Sequence, residues 1–296
     1  MSPSRRAQLA VALIFVVPLL WGFNFLIARS APGVIAPNTL AAERWLLAGL
    51  AFGAVAWREL WQHRRAVLAD WRHMLVLGAL GMWICGAWVY LAGQSTNATN
   101  MALIYAISPV MIALISRLWL KESFTALQAC GVALALAGVV HVVLRGRWGA
   151  LTQLQWAAGD LWMVGAMLAW AFFTILLKRW RSPLSDMGRL AVMSAWGVLV
   201  MLPMVAWEAA TAALPTLSWQ GLGLVLAAAA LPGFGAYLCY AFMVRELGAA
   251  RAGAVLYLNP PYAAVMAWAI LGEPVHLYHV VGLLLILPGI WLVNRR

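Results

Sequence analysis

The sequence predicts an all-α integral membrane protein of ten transmembrane helices, arranged as two inverted five-helix repeats. Of its 296 residues, 65% are apolar and only 10% are charged, against about 25% charged in a soluble domain. The chain divides at its charges and turn signals into ten apolar stretches, each near the roughly 20 residues that cross a bilayer as helix. The second half also repeats the first. Pro109, Glu122, Gly131 and Gly138 recur as Pro260, Glu273, Gly282 and Gly289, a displacement of 151 (109 to 260). Upstream the displacement is 149 (21 to 170): Trp21-Gly22-Phe23 answers Trp170-Ala171-Phe172, Arg29 answers Lys178, and Gly86-Ala87 answers Gly235-Ala236.

The first predicted span, 8–28, follows Arg5-Arg6 and carries Asn24, a polar side chain deep in an apolar run. No Ala-x-Ala-like site precedes a soluble chain, so it reads as an uncleaved first span. The second, 38–57, contains Glu43-Arg44, an adjacent acid–base pair within a span. A buried charge is costly, so local or interhelical pairing is one reading, and sensing or gating the other. In the third, 72–93, Trp83, Tyr90 and the neighbouring Gln94 are seven and four apart and share a helical face; Gln94 marks that face as turned from lipid. The fourth, 98–118, holds Tyr105 and Ser108-Pro109, and the fifth, 124–144, has Gly131 and Gly138 seven apart on one face.

The sixth span, 156–178, opens with Asp160, suited to a helix N-terminus, and carries Trp170. The seventh is 187–208. In the eighth, 218–244, the run 231–235 (Leu-Pro-Gly-Phe-Gly) weakens the helical ladder and leaves backbone groups needing partners. Tyr237 and Tyr240 follow three apart. The ninth, 250–271, repeats the fourth with Tyr257 and Asn259-Pro260-Pro261, and the tenth, 276–293, carries Gly282 and Gly289. Each proline frees the carbonyl four residues earlier, Tyr105 or Leu256, for an ammonium or a water; a plain kink is the alternative reading. The glycines are packing sites at which the fifth and tenth spans approach closely.

With the N-terminus inside, the inner segments hold fifteen Lys and Arg residues and the outer segments only Arg29, Arg145 and Arg147. Both termini are therefore expected in the cytoplasm. Five spans per half is an odd number, so 149–296 must enter the bilayer from the side opposite to 1–148, with a substrate site between the halves. The net charge of +11 sits in short loops beside apolar spans, which positive-inside bias explains without nucleic acid. Cys85, Cys130 and Cys239 are odd in number and read as small residues within spans.

The ten spans, the Trp21-Gly-Phe-Asn start and the Pro…Glu endings at Pro109/Glu122 and Pro260/Glu273 resemble the EamA-type branch of the drug/metabolite transporter superfamily over nearly the whole chain. Within it, the Trp- and Tyr-rich spans are similar to bacterial aromatic amino-acid exporters of the YddG type. The resemblance implies an inner-membrane carrier whose central cavity is lined mainly by the third, fourth, eighth and ninth spans, with help from the first and sixth. On that reading Trp21, Trp83, Tyr90, Tyr105, Trp170, Tyr237, Tyr240 and Tyr257 are candidate aromatic walls, and Asn24, Gln94, Ser108 and Asn259 candidate polar contacts. Ordinary helix packing is the alternative for each aromatic residue.

The expected ligands are a small-molecule substrate and membrane lipid, with no cofactor, and the monomer is the expected functional unit. Aromatic and other neutral amino acids are the preferred cargo; a lipophilic cation held in an aromatic cage is the rival. His276 and His279 are three apart and could bind a metal only with a third ligand that the sequence does not supply nearby. No hydrolase or metalloprotease motif and no channel filter stands in the chain.

Overall fold

The computed structural model describes residues 3–108, 110–112, 114–115, 125–149, 157–211, 218–247 and 255–294. Among them there are helices and turns and no strand. The helices are α1 (Pro3–Ser30), α2 (Pro37–Gln62), the short α3 (Arg64–Ala69), α4 (Trp71–Ala92), α5 (Ala98–Tyr105), α6 (Ala126–Val143), α7 (Ala158–Arg179), α8 (Asp186–Thr211), α9 (219–247), α10 (Val255–Leu271) and α11 (Leu277–Asn294). Six of them, α1, α2, α4, α7, α8 and α9, contain stretches long and apolar enough to cross a membrane; Ala126–Val142 and Leu277–Leu292 are shorter apolar helices. The described residues are thus all helix and turn, as in a multi-pass membrane protein. Leu50, Leu284 and Trp268 are exposed on its outside, where lipid is the solvent.

Two departures from straight spans matter. Hydropathy does not distinguish i→i+4 from i→i+5 bonding, and both α4 and α9 contain a π-helical turn, at Ala79–Ile84 and Ala229–Gly235. In α9 the turn holds Pro232, within the run the sequence marks as weak. After α5, residues 106–107 form a turn before helix resumes at 108, just before Pro109, which with Glu122 lies outside the described residues.

Two pairs of helices run antiparallel in close contact. At the start of α2, the N–H groups of Asn38 and Thr39 are orphan donors of the first turn. Both reach Glu208, in the last turn of α8, at 2.9 and 2.8 Å, and the Asn38 and Thr39 side chains donate to the same carboxylate. At the other end of the pair, Glu59 in the last turn of α2 accepts from the Ser185 N–H and hydroxyl just before α8. Each helix supplies the cap that the other lacks, and the two carboxylates are 149 positions apart (59 to 208).

The second pair is α6 with α11. A Cβ on Gly289 would stand 2.7 Å from the Gly131 carbonyl oxygen, one on Gly138 2.7 Å from Ile286, and one on Gly282 2.2 Å from Val142. Only hydrogen fits at these three positions, and glycine there lets the axes close. The start of α11 is fixed by His279: its Nδ1 accepts from the His276 N–H at 3.0 Å, which makes Nε2 the protonated nitrogen that donates to Asn100 Oδ1 at 3.1 Å. Both ring nitrogens are used, and no cluster of metal-ligating residues occurs among the described residues.

Candidate substrate-binding site

Helices α1, α2, α4, α7, α9 and α10, with Tyr105 at the end of α5, converge on a central cavity. Its lining includes Trp21, Asn24 and Phe25 from α1, Arg44 and Trp45 from α2, Gly81, Cys85, Gly86 and Val89 from α4, and Tyr105, Trp170, Tyr237 and Asn259. The aromatic walls brace one another: Trp21 meets Tyr237 edge-on with ring centres 6.0 Å apart, Tyr237 meets Trp45 at 6.0 Å, and Tyr105 lies 6.3 Å from both Phe25 and Trp170. Tyr105 also shares a hydrogen bond with the Cys85 thiol at 2.9 Å.

The cavity measures about 70 Å³, room for roughly two water molecules. A pocket that encloses a metabolite has roughly 300 Å³ or more, so the walls must move apart to admit one. One helical turn beyond Phe25 and Val89 a latch ties helix ends together. There Arg29 donates to Glu273 Oε1 at 2.8 Å and to the Gly93 carbonyl at 2.6 Å, while Glu273 Oε2 accepts from the Ala98 N–H at the head of α5 at 3.0 Å.

At the cavity wall stands Arg44, only 4% exposed. It does not pair with the adjacent Glu43. Its Nη1 donates to Asn24 Oδ1 at 2.7 Å and to the Tyr90 hydroxyl at 3.0 Å, its Nη2 reaches the Pro232 carbonyl at 3.3 Å, and its guanidinium lies 4.6 Å over the Trp45 ring. The π turn of α9 thus supplies one backbone partner, at the run where the sequence calls for one.

Of the residues singled out in the sequence, Trp21, Asn24, Tyr105, Trp170, Tyr237 and Asn259 meet at the cavity. Ser108 lines a smaller void of about 10 Å³ beside it. Tyr90 stands behind Arg44, donating to Asn24 Oδ1 at 3.0 Å. Trp83 lies elsewhere: the π turn upsets the seven-residue register with Tyr90, and the indole donates to Asn38 Oδ1 at 3.2 Å. Gln94 also lies away from the cavity, because α4 ends at Ala92 and leaves it exposed in the following turn. Tyr240 backs the wall, packed on Trp21 with ring centres 5.4 Å apart in a satellite cluster with Val17 and Met243. Tyr257 is on α10 with its side chain outside those described, and Pro260 is buried in the same helix. The Tyr105 carbonyl accepts from the Ser108 hydroxyl, which leaves it one further lone pair. Sequence reasoning missed Phe25, Trp45 and Cys85 as cavity residues, since they look like ordinary apolar positions; of the readings left open for Glu43-Arg44, local pairing between the two is not made.

A membrane bundle closed around a small aromatic and polar cavity has the architecture of a small-molecule carrier. The chain belongs to the EamA-like transporter family, whose model matches residues 8–144 and again 157–295. It is 25% identical over 275 residues to the uncharacterized transporter YyaM of Bacillus subtilis, covering 91% of this chain and 88% of that one. It is 27% identical to the uncharacterized inner membrane transporter YedA of Escherichia coli, over 88% and 82%. The S-adenosylmethionine/S-adenosylhomocysteine transporter of Chlamydia trachomatis is 23% identical over 90% and 83%. A chain of known crystal structure shares the fold with a TM-score of 0.60 and 18% identity, over 99% of this chain and 97% of that one.

Proposed function

We propose that this protein exports amino acids, aromatic and other neutral ones foremost, or related small metabolites across the bacterial inner membrane by alternating access through the central cavity. The observation that carries the reading is the set of four rings, Trp21, Tyr105, Trp170 and Tyr237, gathered with Asn24 and Asn259 around one void in a transporter family member. Flat apolar walls suit an aromatic or aliphatic side chain, and the polar contacts suit the amino-acid head. The Chlamydia relative's named cargo has an amino-acid head joined to an aromatic base, the same pairing of chemistries.

In this reading the halves 1–148 and 149–296 are inverted five-helix repeats with both termini cytoplasmic. Support comes from the family model matching twice, from π turns at corresponding places in α4 and α9, and from the corresponding helices α2 and α8 lying antiparallel. The α6–α11 seam is the rigid side about which the cavity opens. No cofactor is required.

The test is uptake of labelled phenylalanine into liposomes containing only this protein, with and without an imposed pH gradient. Saturable flux that shows counterflow is expected. Absence of flux under both conditions, with accumulation of a lipophilic cation instead, would overturn the amino-acid reading.

A further inference from the structure

Among the described residues, no carboxylate pairs with the Arg44 cation. Its three bonds go to a neutral amide, a phenol and a backbone carbonyl, and no carboxylate lines the cavity among the described residues. A guanidinium has five N–H donors in a planar fork. Three are engaged here, and Nε is buried with no partner. Nε and Nη2 share one edge of the guanidinium plane, the edge that can grip a carboxylate through two parallel bonds. A desolvated, half-satisfied cation is expensive to keep in a membrane span, and such a residue marks a substrate path.

A second group points the same way. Asn259, on the cavity wall and 8% exposed, has its Oδ1 buried with no donor. Two residues of the cavity wall thus each hold a buried polar atom without a partner, a donor on Arg44 and an acceptor on Asn259. We propose that Arg44 anchors the carboxylate of the transported molecule and that Asn259 Oδ1 accepts from its ammonium group, so that the cargo is a zwitterionic α-amino acid or a molecule ending in one. This rests on the reading of the cavity as the substrate site. It also sets the cavity against lipophilic cations, which a fixed positive charge repels.

Three probes of one ring size dissect the head group: phenylalanine, 3-phenylpropionate, which lacks the ammonium, and phenethylamine, which lacks the carboxylate. Binding of each to purified protein in detergent is measured beside phenylalanine flux in liposomes. For the wild type we expect both carboxylates to bind and phenethylamine to bind at least tenfold more weakly. Arg44→Gln is expected to lose tenfold or more in 3-phenylpropionate binding while strengthening that of phenethylamine, whose charge Arg44 no longer repels, and Arg44→Lys to reverse part of both changes. If the variants fail to fold, wild-type competition alone decides. Binding of 3-phenylpropionate with no phenylalanine flux would sink the transport reading and leave the anchor standing. Phenylalanine flux that phenethylamine inhibits as well as 3-phenylpropionate does would sink the anchor alone, and binding of neither carboxylate would sink it too.

Discussion

Gly86 shows how closely the site is built around single residues. A Cβ at that position would stand 2.8 Å from the Trp45 indole nitrogen, so the missing side chain on α4 is what lets Trp45 lie against it under the Arg44 guanidinium. Gly86→Ala therefore pushes the indole, and the cation stacked on it, away from α4. Overpacking of this kind costs about 1–3 kcal/mol, so the expected result is a folded protein with a modestly lowered melting temperature and a phenylalanine affinity reduced several-fold. A variant with unchanged affinity would show that Trp45 does not position Arg44. At this scale the sequence reveals what stands out against an apolar background. Asn24, Asn259 and the mid-span Trp21 and Trp170 are visible because polar or bulky aromatic groups inside a span need a reason. Trp83 and Gln94 mislead because their placement depends on helical phase and on where α4 stops. Arg44 is conspicuous as a charge, but nothing in one sequence shows that it stacks on Trp45 and leaves its Nε without a partner.

Between elements, the α2–α8 pair replaces local caps with borrowed ones. No side-chain cap is made by the residue preceding α2, and the four hydrogen bonds from Asn38 and Thr39 end on one carboxylate of another helix, about 170 residues away in sequence. Glu208→Gln keeps one acceptor oxygen of two and removes the charge that complements the helix N-terminus. Losing such a cap costs about 1–2 kcal/mol, and Glu59→Gln weakens the start of α8 in the same way. Each variant is expected to lower the thermal midpoint by a few degrees, and the pair together by about the sum, because the two clamps sit at opposite ends and share no residue. Hydrogen exchange should show lost protection in the first turn of α2 for Glu208→Gln and of α8 for Glu59→Gln; loss at the wrong helix would refute the assignment. The positions of the six helices long and apolar enough to cross a membrane were readable from hydropathy to within about five residues, since the bilayer fixes length and composition together. The caps and the π turns were not, because one depends on a distant carboxylate and the other on a bonding offset that leaves apolarity unchanged.

For the whole molecule, the proposed twofold relation and the proposed anchor pull in different directions. At a displacement of 149, Arg44 corresponds to Met193 and Trp45 to Ser194, so the scaffold repeats while the cation stands in one half only. A symmetric frame can rock between two equivalent closures, and a single charge within it gives the cargo one defined orientation throughout. Beyond one end of the cavity stands the Arg29–Glu273 latch, which joins α1, the α4–α5 turn, the head of α5 and the approach to α11. In the proposed orientation it lies on the outer face, and release by that route requires it to open. Its energy is small enough for that: Arg29 is about one third exposed, and an ion pair so placed contributes about 1 kcal/mol or less. In a cysteine-free background, Arg29→Cys with Glu273→Cys, joined by a short reducible cross-linker, is expected to abolish phenylalanine flux and to regain it on reduction. The uncrosslinked double variant should keep transporting, with a lower barrier to opening. Full flux through the cross-linked protein would mean that cargo leaves by another route and that this end of the bundle is static.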